Sequence, residues 1–340
     1  MGDNTHTINS PDRTFCVAPM MGWTHRHARY LFRILSKKAL LYTEMLTTGA
    51  LLRNTQAYRE KLLACHAREH PVALQLGGNN PEQLATCARM AEDAGYDEIN
   101  LNMGCPSKQV RSGQFGACLM AQLEQVAAIL YQVKQRVSIP VTVKCRLGID
   151  DQDIDRDLHR FVCVLVQSGI DALIVHARKA WLHGIDPKAN RTLPPLNYMR
   201  VYQLQQEFPE LEMIINGGIN SLKAAQQHLT QVDGVMLGRS ICQNPWMLHQ
   251  VDTLLFDQPP CQMTLKSCLQ QYRDYVVTEL EKMQQDNKSN HMGSTAKIFQ
   301  PALRLFTAMP GARKTRNRLC QPGQTPQQIA TMLDEVVDML

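Results

Sequence analysis

The chain has 340 residues, 44% hydrophobic and 20% charged with a net charge of +5, which is ordinary for a globular protein and enough for one large domain and a smaller one. No apolar run approaches the ~20 residues of a membrane span, and the polar stretch 1–13 lacks the apolar core of a secretory signal, so it is expected to be a flexible N-terminus. Eleven scattered cysteines without a CxxC pair speak against a disulfide framework or a zinc site and for reduced thiols in a cytoplasm, with no metal.

Short apolar runs recur at residues 15–18, 40–43, 72–76, 98–102, 141–144, 172–176, 213–216 and 234–237, each followed by a helical pattern. One such pattern spans 81–94, with Asn80 as its cap, Pro81 in the first turn and Gly95 as its stop; another spans 123–137 and ends before Pro140. Eight β-α units over about 240 residues match a TIM (β/α)8 barrel better than a doubly wound sheet. The fold class is therefore α/β: a TIM barrel over 14–255, followed by a small all-α helical domain over 262–340. In that barrel, chemistry belongs at the C-terminal ends of the strands.

The fourth run, Glu98 to Lys108, is the most informative. Ile99, Leu101 and Met103 alternate with Asn100 and Asn102, a strand with one apolar and one polar face. A strand in mid-barrel is buried on both sides, so its amides need partners, and an amide at the strand end can find one on a ligand. The strand breaks at Gly104, Cys105 and Pro106, and the proline holds Cys105 in an extended, stiff exit. A thiol there can be a nucleophile, a metal ligand, a proton donor or a small buried hydrophobe. The polar, basic loop 107–116 that follows is more than a structural link requires.

Lys144 and His176 end the fifth and sixth strands. A lysine there can stabilise negative charge on a reduced flavin or form a Schiff base; a lone histidine can be a satisfied core residue. Asn216, Gly217 and Gly218 end the seventh strand, and Gly238 and Arg239 the eighth. Glycines in both loops let backbone N–H groups approach an anion, and these two loops are the usual phosphate cradle of the fold. Without a carboxylate pair or metal cluster, the set favours a redox cofactor over hydrolysis.

Residues 256–262 read as a linker, and Thr264 caps a helix whose stripe of Leu265, Leu269, Tyr272, Val276, Leu280 and Met283 serves packing. From 287 to 333 there is no Asp or Glu, while Lys288, Lys297, Arg304, Arg313, Lys314, Arg316 and Arg318 carry the positive charge of the chain. A solvated helix face normally mixes both signs; an acid-free one suits a polyanion.

At these residues the chain resembles the tRNA-dihydrouridine synthases. The matching blocks are 18–22 (APMMG), 75–78 (QLGG), 100–107 (NLNMGCPS), 143–146 (VKCR), 175–178 (VHAR), 215–219 (INGGI) and 237–239 (LGR), in order through the barrel. In the tail, 305–306 (LF) and 310–313 (PGAR) look like the A-type bacterial branch. The resemblance implies a barrel that binds FMN, a helical domain that binds tRNA, and NADPH as electron donor. It implies FMN contacts at Ala18, Pro19, Met20, Gln75, Lys144, His176, Asn216, Gly217, Gly218, Gly238 and Arg239. It implies Cys105 as the catalytic proton donor, and Asn102, Arg146, Arg178, Lys188, Arg191, Arg304 and Arg313 as contacts to the uracil or the RNA. The implied reaction reduces uridines of the D-loop, at positions 20 and 20a, with hydride added at C6 and a proton at C5. A thiol suits the second step, because it still holds its proton near neutral pH where an aspartic acid has lost it. The uridine must be flipped out of its stack to react. A cytoplasmic monomer acting on tRNA, with no DNA or membrane partner, is the expectation. A flavin barrel acting on a free small molecule such as dihydroorotate, and a non-catalytic RNA-binding protein, are the rival readings.

Overall fold

The computed structural model describes residues 10–186, 188–285, 297–305, 317 and 325–338. Among them, nine parallel strands form one sheet: β1 (Phe15–Val17), β2 (Leu40–Tyr42), β3 (Leu46–Thr47), β4 (Val72–Gly77), β5 (Glu98–Met103), β6 (Val141–Arg146), β7 (Ala172–His176), β8 (Glu212–Asn216) and β9 (Gly234–Leu237). The sheet closes, since β1 pairs with β9 through Phe15 and Val235, and β2 pairs with both β1 and β4. Eight strands complete the cylinder, one for each apolar run in the sequence. The extra strand β3 is two residues laid beside the mouth end of β4, Leu46 against Leu76; it is too short to leave a periodic signal.

The helices begin and end where the punctuation residues put them. Helix Pro81–Asp93 starts with the Asn80 side chain accepting from the Gln83 N–H at 2.9 Å, a cap worth ~1 kcal/mol, and Gly95 ends it at a φ of 87°. Apolar residues on the outer faces of the strands, such as Val141, Val143 and Cys145, share one core cluster with the buried sides of these helices, such as Val126, Ile129, Leu130 and Val133 of helix Leu123–Arg136. A second, smaller cluster fills the cylinder itself: Cys16, Ala18, Leu40, Tyr42, Ala73, Ala172, Ile174, Ile214 and Met236.

The cylinder's floor is polar and tightly paired. Arg13 donates from Nε to Glu98 at 2.7 Å and from Nη1 to Glu212 at 2.6 Å. Arg13 is 1% exposed and Glu98 0%. Arg13 therefore differs from the flexible N-terminus expected over 1–13. Its two carboxylate partners lie 85 and 199 residues away, so no local pattern could reveal them.

Beyond the barrel, residues 257–264 carry no regular element. Helix Leu265–Gln285 follows, capped by Thr264 Oγ1, which accepts from the Ser267 N–H at 3.1 Å. Its stripe is buried at Leu269, Tyr272, Val276 and Leu280. It packs on helix Arg26–Leu35: Tyr275 stacks on Tyr30 with centroids 3.7 Å apart, its hydroxyl pairs with His27 Nδ1 at 2.7 Å, and Arg26 pairs with Glu279. Helix Pro326–Asp338 lies against it, with Arg273 and Asp334 2.8 Å apart. No described helix is long and apolar enough to cross a membrane.

Candidate active site

The strand ends enclose a cavity of about 970 Å³ at the mouth of the cylinder, a size suited to a cofactor and part of a substrate. Ala18, Pro19, Met20, Gln75, Asn102, Cys105, Lys144, Arg146, His176, Arg191, Asn216, Gly217, Gly218, Gly238 and Arg239 all line it. The register explains the convergence. Asn102 lies beside Lys144, Arg146 beside His176, and His176 beside Asn216, so side chains paired across neighbouring strands share one face.

Cys105 is half-buried and held at both ends of its peptide. Its N–H donates to Asn102 Oδ1 at 3.0 Å, and its carbonyl accepts from the Ala117 N–H at 3.1 Å. The second contact depends on Gly116, which has a φ of 62° and where a Cβ would meet the Cys105 carbonyl oxygen at 2.7 Å. The polar loop after β5 thus folds back to fix the thiol's backbone on the cavity rim.

The cations have distinct settings. Lys144 Nζ donates to Asn216 Oδ1 at 3.0 Å, and Asn216 Nδ2 donates to the Met236 carbonyl at 2.7 Å. Burial, helped by the neighbouring Arg146 charge, pushes Lys144 down to about 8, because no carboxylate compensates it. Burial, and then Arg146, Lys144, Arg178 and Arg239, hold His176 well below its ordinary range, so its imidazole is neutral. His176 Nε2 is buried without a hydrogen-bond partner, and such an atom at a cavity wall is satisfied by a ligand. Arg146 is 4% exposed. Burial lowers it to about 10, and its guanidinium bridges the Gly104 and Asn190 carbonyls at 3.2 and 3.0 Å. It braces the loops after β5 and β7 besides lining the cavity.

The cradle depends on missing side chains. Gly217 has a φ of 114°, and a Cβ there would come within 2.6 Å of His176 Cδ2. At Gly218, with a φ of 72°, it would meet Leu196 at 2.6 Å and the Tyr198 hydroxyl at 2.8 Å. Backbone N–H groups exposed this way beside the Arg239 guanidinium suit an oxyanion. With the orphaned His176 nitrogen and the Gln75 and Lys144 donors below, the donor set fits a flat heterocycle carrying a phosphate.

Three of the expected residues do not line this cavity. Arg178 is 9% exposed and donates to the Thr192 and Pro194 carbonyls, tying down the loop after β7. Lys188 is exposed on that loop, just before the short turn Ala189–Arg191. Arg304 lies over the Trp23 ring, 4.9 Å from its centroid, where the helical domain meets the barrel. Arg313 lies outside the described residues. The sequence reading missed Met45, Leu46, Thr47 and Ala50, which reach the cavity because β3 hydrogen-bonds to β4, and also Trp23 and Phe115. Only Thr47, a helix cap accepting from the Ala50 N–H, carried a local signal.

A family model described as dihydrouridine synthase matches residues 16–336. The chain is 48% identical over 319 residues to a tRNA-dihydrouridine(20/20a) synthase of Shewanella oneidensis, covering 94% of this chain and 91% of that protein. It is 45% identical over 341 residues to the protein of that name from Salmonella typhi, covering 100% and 99%, and 47% identical over 322 residues to that from Escherichia coli, covering 94% and 93%. Among solved structures it is similar to morphinone reductase in complex with tetrahydroNAD. That match has a TM-score of 0.50 and 14% identity over 71% of this chain and 86% of that one, a likeness of fold.

Proposed function

Because the chain belongs to the dihydrouridine synthase family, an enzyme family that makes dihydrouridine in tRNA, we propose that it reduces uridines 20 and 20a of the tRNA D-loop, the positions in its relatives' names. In this reading FMN occupies the mouth cavity, NADPH is the reductant, and the protein works in the cytoplasm.

FMN, when bound, supplies the hydride that adds to C6 of the uracil ring. The chain's own residues do the rest. Gly217, Gly218, Gly238 and Arg239 hold the phosphate, the glycines by letting backbone N–H groups close in. Ala18, Pro19 and Met20 form the apolar side of the cavity, while Gln75, His176 and Asn216 supply polar contacts to the ring system. Negative charge builds on C5 and O4 of the uracil, and the ammonium of Lys144 and the guanidinium of Arg146 offset it. Lys144 remains mostly protonated at neutral pH, since it titrates near 8. Cys105 holds the proton that C5 takes up. Arg191 on the cavity wall and Lys188 beside it face the incoming RNA. Arg304 extends the basic surface onto the helical domain, and Arg313 is a further contact to the RNA in this reading.

The observation that carries this reading is the placement of Cys105. Its peptide is fixed at 3.0 Å to Asn102 and 3.1 Å to Ala117, on the rim of the one cavity that also gathers Lys144, His176 and both glycine loops. The test is direct. The full chain, loaded with FMN and given NADPH and an unmodified tRNA transcript, should produce dihydrouridine at positions 20 and 20a by mass spectrometry. NADPH consumption with no change in the RNA, together with turnover of free uridine or dihydroorotate, would replace this reading with a small-molecule reductase.

A further inference from the structure

A hydrogen-bonded chain of side chains runs from the barrel floor to Cys105, and every hydrogen in it points the same way. At the top, the N–H groups of Gly104 and Cys105 donate to Asn102 Oδ1 at 3.1 and 3.0 Å. Asn102 Nδ2 donates to Gln75 Oε1 at 2.9 Å, and Gln75 Nε2 to Asn100 Oδ1 at 2.8 Å. Asn100 Nδ2 then donates to Thr142 Oγ1 at 2.9 Å, and the Thr142 hydroxyl to Glu98 Oε1 at 2.6 Å. The register sets this up, with Gln75 beside Asn100 and Asn100 beside Thr142 on one inward face.

The two ends decide the polarity of everything between them. A backbone N–H can only donate, and a carboxylate can only accept. Turning any one of the three intervening amides over would set nitrogen against nitrogen and oxygen against oxygen inside a low-dielectric interior, where the penalty is largest. Glu98 is itself pinned: Arg13 Nε donates to Oε2 at 2.7 Å, and the Tyr42 hydroxyl to Oε1 at 2.7 Å. Gln75, Glu98, Asn100 and Thr142 are each 1% exposed or less. Nothing in the reaction needs Glu98, Asn100 or Thr142 to touch substrate or cofactor.

We infer that Glu98, Thr142 and Asn100 are positioning residues that fix the direction in which the Gln75 and Asn102 amides face the cavity. The inference rests on the uridine-reduction reading and adds a specificity rule to it. Asn102 Oδ1 is taken up by two backbone N–H groups, and one Nδ2 hydrogen is given to Gln75. What Asn102 has left to offer is a single N–H. A uracil carbonyl accepts that hydrogen; the exocyclic amine of cytosine, itself a donor, is left unpaired against it. A carboxylate on the floor of the cylinder thus sets which pyrimidine edge is read at the mouth.

The experiment separates the two half-reactions. In Thr142→Val the chain is cut below Asn100. Flavin should stay bound through the glycine cradle, Lys144 and His176, and its reduction by NADPH should keep the wild-type rate, while oxidation of the pre-reduced flavin by tRNA slows about tenfold. Thr142→Ser, which restores the hydroxyl, should recover the rate to within about twofold. Tyr42→Phe removes the other hydroxyl from the same Glu98 oxygen without interrupting the chain, and should leave both half-reactions unchanged. Should Thr142→Val not fold, Asn100→Ser, too short to span Gln75 and Thr142, carries the same expectation. A wild-type rate on tRNA for the cut variants, a loss in Tyr42→Phe as large as in Thr142→Val, or a parallel fall of both half-reactions would each overturn the inference. A wild-type enzyme whose reduced flavin tRNA fails to oxidise would instead overturn the uridine reading itself.

Discussion

Gly217→Ala tests the cofactor cradle with a single methyl group. The residue has a φ of 114°, and its Cβ would lie 2.6 Å from His176 Cδ2 and 3.0 Å from Nε2. Ordinary contact between carbon atoms is about 3.5–4.0 Å, so the imidazole must retreat by roughly 1 Å. A side chain other than hydrogen at this φ costs a further ~1–3 kcal/mol of backbone strain. Gly95→Ala separates the two effects: φ is 87° there, but nothing lies within 4 Å of the new Cβ. Both variants should lose stability in denaturant titrations, Gly95→Ala by about 1–2 kcal/mol from the backbone alone. Only Gly217→Ala should lose flavin, with affinity down at least about tenfold and the tRNA step slowed by up to about a hundredfold, the usual consequence of a 1 Å misplacement. Flavin content by absorbance and the rate of single-turnover oxidation are the readouts. A Gly217→Ala protein that keeps its flavin at wild-type affinity would refute the cradle, and an equal loss in Gly95→Ala would show that backbone strain alone was responsible.

Three other outcomes are expected. Cys105→Ala should accept electrons from NADPH normally but discharge them onto tRNA about 10²–10⁴-fold more slowly, the contribution of a positioned acid; an unchanged single-turnover rate would remove Cys105 from that role. Lys144 titrates near 8 in the folded protein against 10.5 unfolded, so its charge destabilises the flavin-free protein fully below pH 8, and the penalty disappears as pH rises to 10.5. Flavin-free Lys144→Met should therefore melt above wild type at pH 7, with the gap closing between pH 8 and 10.5; a gap that widens with pH refutes the sign. Arg304→Ala and Arg313→Ala should each flatten the slope of log affinity for tRNA against log salt by up to about 0.9; an unaltered slope for Arg304→Ala makes that residue a structural one, packed on Trp23.

Much of the site was legible because the fold confines chemistry to strand ends, and strand ends are marked locally. Proline after Cys105 and the glycines at 217, 218 and 238 are punctuation that a chain shows without its neighbours. The alternation of Asn100 and Asn102 with apolar residues likewise announced an inward polar face. Where the reading missed, the deciding contacts lay far apart in sequence. Arg178 sits in the same motif as His176, yet its guanidinium is spent on the carbonyls of Thr192 and Pro194, so adjacency to a cavity residue did not make it one. The segment Met45 to Ala50 carries no periodic pattern and becomes cavity wall through two residues of β3 pairing on β4.

The order of apolar runs, their breakers and their polar exits determined by themselves that this chain makes a barrel with a glycine-rich, thiol-bearing mouth, because strand period and turn chemistry are properties of a few consecutive residues. Only the tertiary structure decided how the interior is wired. Closure of the cylinder brought Arg13 to Glu98 and Glu212 across 85 and 199 residues, and the pairing of β4, β5 and β6 gave the amides between Glu98 and Cys105 one common direction. Hydrogen-bond polarity belongs to a connected network, and the floor end of this one meets Arg13 only when β1, the strand that follows that residue, pairs with β2 and β9.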